Sequence, residues 1–298
     1  MSKKSMKRVS KVSVIYPEEL GLYFNQGKFE EIYSQTLKGY QDVMPLGQFK
    51  KEAAQFHEGT GDFKLFKQNQ LEPGVQRCSY VDYQTMRMIT AAFSIERDIV
   101  GLQFGSFEKF ETDEIYTKKE YVLPFRTEWF VLWGGDNSFW NYHYPHSSQR
   151  YAYDFIVKKE GRPYDGDGHL LTDHYSYGEA VTAPGAGTVV KVYDDIADNA
   201  PFSMNMEEPQ GNAIVIKHAE NEYSLLAHLK NDSILVEEGA EVRPGDIIAE
   251  CGNSGASDTP HLHFHVMDAP VPEKALSIRI RFEALQFEPK QGDTLRGE

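Results

Sequence analysis

The segment Gly252-Asn253-Ser254-Gly255-Ala256-Ser257-Asp258-Thr259-Pro260-His261-Leu262-His263-Phe264-His265 holds the densest chemistry in the chain. Successive side chains of an extended strand point to opposite faces, so His261, His263 and His265 share one face. Imidazoles side by side on a rigid strand suit a metal ion or an acid–base pair. Three of the ten histidines fall within these five positions. A solvated strand face does not account for that concentration. More residues of the same kind lie upstream. His143-Tyr144-Pro145-His146 precedes Arg150-Tyr151-Ala152-Tyr153-Asp154, and Ala227-His228-Leu229 adds another histidine.

Strands must position these residues. From residue 150 onward the pattern is β throughout, with runs at 151–157, 187–193, 213–218 and 223–229 separated by Gly, Pro or Asn/Asp turns. Short strands at this spacing indicate a sandwich or barrel. The polar stretch 194–211, with Pro201 and Pro209, is a long loop of the kind that walls a binding site. Trp129, Trp133 and Trp140 are expected at a core edge, a ligand-stacking platform being the alternative. Ahead of them, residues 108–121 are charged and poor in apolar side chains, which reads as a linker. Residues 17–57 recur at helical steps, with Gly27 and Pro45 as interruptions. Runs near 63–66, 77–83, 85–93 and 99–104 then read as an antiparallel meander. The expected architecture is a small α+β domain at 17–107, a linker at 108–121 and a mainly antiparallel all-β domain at 122–290.

A length of 298 residues suits about two domains. The net charge of −14 argues against a nucleic-acid partner and against docking on anionic lipid. No run of about 18 apolar residues exists, so no transmembrane helix is expected. The start Met1-Ser2-Lys3-Lys4-Ser5-Met6-Lys7-Arg8 looks like the head of a signal peptide, but Val12-Ser13-Val14-Ile15-Tyr16 is too short and polar for its apolar region. Cellular location is not legible from the residues. Cys78 and Cys251 stand apart from any CxxC or Cys/His cluster and are expected to be ordinary semi-buried thiols.

Ala227-His228-Leu229, Gly252-Asn253-Ser254-Gly255 and Pro260-His261-Leu262-His263-Phe264, in this order and spacing, resemble the M23 family of zinc metallopeptidases (lysostaphin-like or LytM-type). The resemblance covers roughly residues 120–285. It implies a Zn2+ ion held by Asp154, His263 and one further histidine, with water in the fourth position, and it implies His228 and His261 as catalytic histidines that are not ligands. Arg150 stands where many members carry the first histidine. The first ligand is therefore expected to be His143, with His146 as the alternative. The resemblance further implies hydrolysis of peptide bonds in peptidoglycan and an extracytoplasmic setting. Two other readings compete: a degenerate member that binds without cleaving, and a phosphohistidine carrier of related β-fold. The segment Phe24-Asn25-Gln26-Gly27-Lys28-Phe29 and the elements after it resemble cystatin-like or NTF2-like α+β domains, with no catalytic constellation. His265 matches no required position and is expected to be a bystander. His57 is expected to be structural or solvated, and His169, His174 and His218 to be surface residues.

Overall fold

A computed structural model describes residues 14–283 and 285–297. The basic start Met1–Arg8 and the first residues of the following apolar stretch lie outside the described residues. The chain divides into two compact units between Phe107 and Glu108. Among the described residues no helix is long and apolar enough to cross a membrane.

Among the described residues of the first unit four short helices, Leu20–Asn25, Phe29–Ser34, Lys38–Val43 and Leu46–His57, precede a meander of four antiparallel strands, Lys64–Glu72, Val75–Asp82, Arg87–Phe93 and Ile99–Ser106. Gly27 takes a positive φ of 67° and ends the first helix, and extended Pro45 starts the last. The remaining break falls at Thr36-Leu37, where the chain leaves helical geometry to hydrogen-bond with Ile99. Phe24, Phe29, Ile32 and Phe49 from the helices pack on Tyr80, Ile89, Ala91 and Phe93 from the sheet. His57 stands edge-on to Phe24 and Phe29, at ring-centroid distances of 5.6 and 5.9 Å.

The second unit is mainly antiparallel β-structure. Its central sheet runs Glu241–Val242, Gly187–Tyr193, Asn212–Ala219, Glu222–Leu229, Leu262–Met267, Tyr153–Ile156, Glu128–Trp133 and Thr294–Arg296. Leu262, Phe264 and Val266 point into the main core with Phe155, Leu226 and Trp129. The opposite face of these strands carries a second apolar cluster that includes Leu225, Ala227 and Met267. Both faces of the histidine-bearing strand are thus buried, which holds its register. Trp129 and Trp140 are buried in the core.

Residues 108–121 are not a free linker. Tyr116–Tyr121 is a strand paired in parallel with Ser277–Phe282, and its charged Lys118, Lys119 and Glu120 are its exposed residues. A charge run on a strand edge looks like a linker when read without its partner. The preceding turn is also secured. The Asp113 carboxylate accepts hydrogen bonds from Tyr144 (2.7 Å) and Tyr151 (2.8 Å).

Two histidines expected at the surface are buried, His174 and His218. His218 donates from Nδ1 to the Ala186 carbonyl at 2.9 Å and accepts at Nε2 from Ser224 Oγ at 2.8 Å. Burial pushes its pKa below the ordinary value, only partly opposed by the Ala186 bond. The unfolded chain therefore takes up this proton at a higher pH than the folded one. The His218 contribution to stability is complete above about pH 6.5 and is lost as pH falls from there through the lowered folded value. Urea unfolding at about pH 7.5 and about pH 5.5 should show a smaller acid-side loss in His218→Gln than in the parent. An equal loss in both proteins would remove His218 as a source of acid sensitivity.

Candidate metal centre

Three neighbouring strands build the centre. The register sets Ala227 opposite His263 on one side and Asp154 opposite His263 on the other. The small Ala227 side chain leaves room for an imidazole. Asp154 Oδ1 lies 2.9 Å from His263 Nδ1, and Oδ2 lies 3.0 Å from His143 Nε2. One ligand-type atom from each of His143, Asp154 and His263 can be chosen so that all three lie within 4.8 Å of one another. All three residues are buried.

His143 comes from a loop, and Asn141 shapes that loop. The Asn141 side-chain oxygen accepts from His143 N at 3.0 Å. Its Nδ2 donates to the carbonyls of Gly135 (3.2 Å), Arg150 (3.1 Å) and Ala152 (3.0 Å). A single buried side chain thus ties both ends of the loop together and presents His143 to Asp154. His146 is exposed on the same loop and is not among the three residues brought together. Arg150 serves the loop. Its Nε donates to the Tyr144 carbonyl, NH1 donates to Thr112 Oγ1 at 2.8 Å, and the guanidinium lies 3.4 Å from the Phe110 ring centre.

His228 reaches the centre through a break in strand alternation. Leu225 and Ala227 face the His263 side, so a regular strand would turn His228 into the main core. Instead His228 has φ +62°, and the pairing with Asn212–Ala219 shifts register at this point. Such a bulge re-aims a side chain at a cost of about 1–2 kcal/mol for a non-glycine residue. The His228 ring then lies 4.8 Å from His261 and 5.8 Å from His263, and Leu229 turns into the core. His228 Nδ1 donates to the Ser254 carbonyl at 2.9 Å, and His261 Nδ1 donates to the Thr259 carbonyl at 2.8 Å. Each ring, when neutral, therefore keeps a free acceptor at Nε2. His261 Nε2 lies 3.9 Å from Asp154 Oδ1.

The backbone at the Ser254 carbonyl packs closely against Gly211. Gly211 and Gly255, both at positive φ, approach so closely that a Cβ on Gly255 would stand 2.3 Å from Gly211 N. The 194–211 loop is pinned beside the site by Asn199, whose side chain donates to the Gly255 (2.7 Å) and Ser257 (3.0 Å) carbonyls.

Electrostatics follow from burial. Desolvation opposes the Asp154 carboxylate, but nearby His143 and His261, with hydrogen bonds from His143 and His263, outweigh it and hold the carboxyl well below the usual range. Burial lowers the pKa of His263 and pushes those of His228 and His265 well down, so these three imidazoles are held neutral beside the anionic carboxylate. The donor set fits a dication of borderline softness: two nitrogen donors and one carboxylate. Tyr142, half-exposed, lies over the His143 ring at a centroid distance of 3.9 Å.

His143, Asp154, His228, His261 and His263, the residues expected to share one site, all meet here. Asn141 has a local signal of its own, since an Asn side chain readily bonds the backbone two residues on. His265, expected to be a bystander, also lies against the site. That imidazole is buried, with Nδ1 2.9 Å from His263 Nε2.

Residues 171–273 match the domain model of peptidase family M23. The match contains His228, His261 and His263 and begins after His143 and Asp154. The chain is similar to the outer membrane antigenic lipoprotein B of Histophilus somni, 40% identical over 102 residues, which are 34% of this chain and 26% of that protein. It is also similar to the murein hydrolase activator NlpD of Escherichia coli K12, 37% identical over 91 residues, 30% of this chain and 20% of the relative. The chain thus spans only about a fifth to a quarter of the curated relatives it matches. Among solved structures, the catalytic domain of lysostaphin from Staphylococcus simulans aligns at 20% identity and a TM-score of 0.29, over 54% of this chain and 88% of that one.

Proposed function

We propose that the second unit is a zinc-dependent endopeptidase acting on peptide bonds of peptidoglycan. The observation that carries this reading is the convergence of His143, Asp154 and His263 at ligand spacing, with His228 and His261 beside them, each ring bonded through Nδ1 to a backbone carbonyl. His143, Asp154 and His263 would hold the ion, leaving room in a tetrahedral sphere for water, as a catalytic rather than a structural site requires. Zinc bound there would acidify water and polarise a peptide carbonyl. The remaining work belongs to the chain. A free Nε2 on His228 or His261 can accept a proton, and the resulting N–H can donate to a carbonyl oxygen that gains negative charge. The backbone bonds to Ser254 and Thr259 fix each ring and its tautomer before substrate arrives. The 194–211 loop, which exposes Phe202, Met204 and Met206, would form one wall for the substrate. A cell-envelope, extracytoplasmic setting is supported by the names of the relatives.

The name of the Escherichia coli relative favours a second reading, in which the domain binds and activates a murein hydrolase without cutting. Activity on purified peptidoglycan separates the two. The expected result is about one zinc per chain and release of peptide ends. His228→Asn tolerates the left-handed backbone at this position and should lower the rate roughly 100- to 1,000-fold while zinc stays bound. A zinc-loaded parent that releases nothing, but stimulates a separate murein hydrolase, would establish the activator reading instead.

A further inference from the structure

The third histidine of the alternating run has a position that a bystander would not need. His265 is almost fully buried, on the strand face it shares with His263 and opposite Leu225. Its ring stands at 83° to the His263 ring, with centroids 5.1 Å apart. Its Nδ1 lies 2.9 Å from His263 Nε2, while its own Nε2 is buried with no hydrogen-bond partner among the described residues. A buried polar atom left alone costs about 1–3 kcal/mol, so the ring must be retained for its other nitrogen.

We propose that His265 is a positioning residue for the metal centre, accepting the Nε2–H of His263 at its own Nδ1 so that His263 presents an unprotonated Nδ1 to the ion. The inference rests on the zinc reading above. A neutral imidazole carries one proton. For His263 to offer Nδ1 to an ion, in place of the hydrogen bond this atom makes to Asp154 without one, that proton must sit on Nε2. Nε2 points at His265 Nδ1 and at no other hydrogen-bonding atom shown by the structure. His265 must then carry its own proton on Nε2, the atom without a partner. The opposite arrangement, with Nδ1–H of His265 donating to His263, would force the His263 proton onto Nδ1 and cover the ligand atom. Partners behind a ligating histidine fix its ring and raise its basicity, and their loss typically costs 10- to 100-fold in metal affinity.

The test uses the full chain, with zinc affinity read by competition against a chromophoric chelator. His265→Leu, which keeps bulk and removes the acceptor, should bind zinc roughly 10- to 100-fold more weakly. His265→Asn places an acceptor oxygen near the Nδ1 position and should recover most of that loss. A residue kept only to fill space would give the reverse order, and that order, or Leu binding as tightly as the parent, overturns the proposal. Nitrogen-15 spectra of the zinc-loaded parent give a readout that needs no variant to fold: His265 should show its proton on Nε2, and a proton on Nδ1 overturns the proposal. A parent that binds no zinc overturns the metal reading itself, which is distinct from a parent that binds zinc without help from His265.

Discussion

Replacing Asp154 by asparagine should remove both stoichiometric zinc and hydrolysis, with the rate falling about 10,000-fold or more. The physical ground is the position of the carboxylate. Oδ1 and Oδ2 each face a different imidazole, at 2.9 and 3.0 Å, and the residue is buried. Carbonyl polarisation and water acidification each supply several kcal/mol, and both depart with the ion; about 1.4 kcal/mol is a factor of ten in rate. Asparagine has the same shape, so the strand Tyr153–Ile156 and its pairing with Leu262–Met267 should persist, and circular dichroism would check this. Metal content after dialysis and release of peptide ends are the two measurements. Asp154→Asn that retains one tightly bound zinc would sink the proposed ligand set.

Asn141→Ala should cost at least about 3 kcal/mol of stability, without replacing any proposed ligand or catalytic residue. The side chain is fully buried and satisfies three carbonyls and the His143 N–H. Each buried group left unpaired costs about 1–3 kcal/mol. At about 2–4 °C per kcal/mol for a unit of this size, the melting temperature should fall by roughly 10 °C. Because Asn141 also sets the direction of His143, zinc affinity should fall along with it. Thermal unfolding of the metal-free protein isolates the first effect, and chelator competition reads the second. A variant with unchanged melting would mean that the loop is held by Arg150 and the Asp113 contacts alone.

Arg150 bears on whether the domain is degenerate. The resemblance leads to the expectation of a histidine at this place, and the sequence has an arginine. The geometry assigns Arg150 to a different task. Stacked on Phe110 and bonded to Thr112 and the Tyr144 carbonyl, it anchors the loop from which His143 enters. An imidazole from the loop, that of His143, thus stands beside Asp154.

Much of this protein could be read along the chain. Strand periodicity alone set His261, His263 and His265 apart from Leu262 and Phe264, and the core indeed takes Leu262 and Phe264. Helical spacing followed by two-residue alternation marked the first unit. These features are local: the period of hydrophobic residues follows from backbone geometry, so it survives in one dimension. Other features depended on partners distant in sequence. Alternation would have sent His228 into the core; a register shift against Asn212–Ala219 turns it into the site. The run 108–121 resembled a linker until its partner strand, Ser277–Phe282, was known. That His143 and not His146 stands beside Asp154 rests on bonds made by Asn141 to three carbonyls along the 135–152 stretch. His265 matched no motif, and only the contact with His263 gives it a task. Residue types and their periods determined which chemistry this chain can hold. Folding decided which atoms meet, because hydrogen bonds and register are set between segments that the sequence does not list side by side.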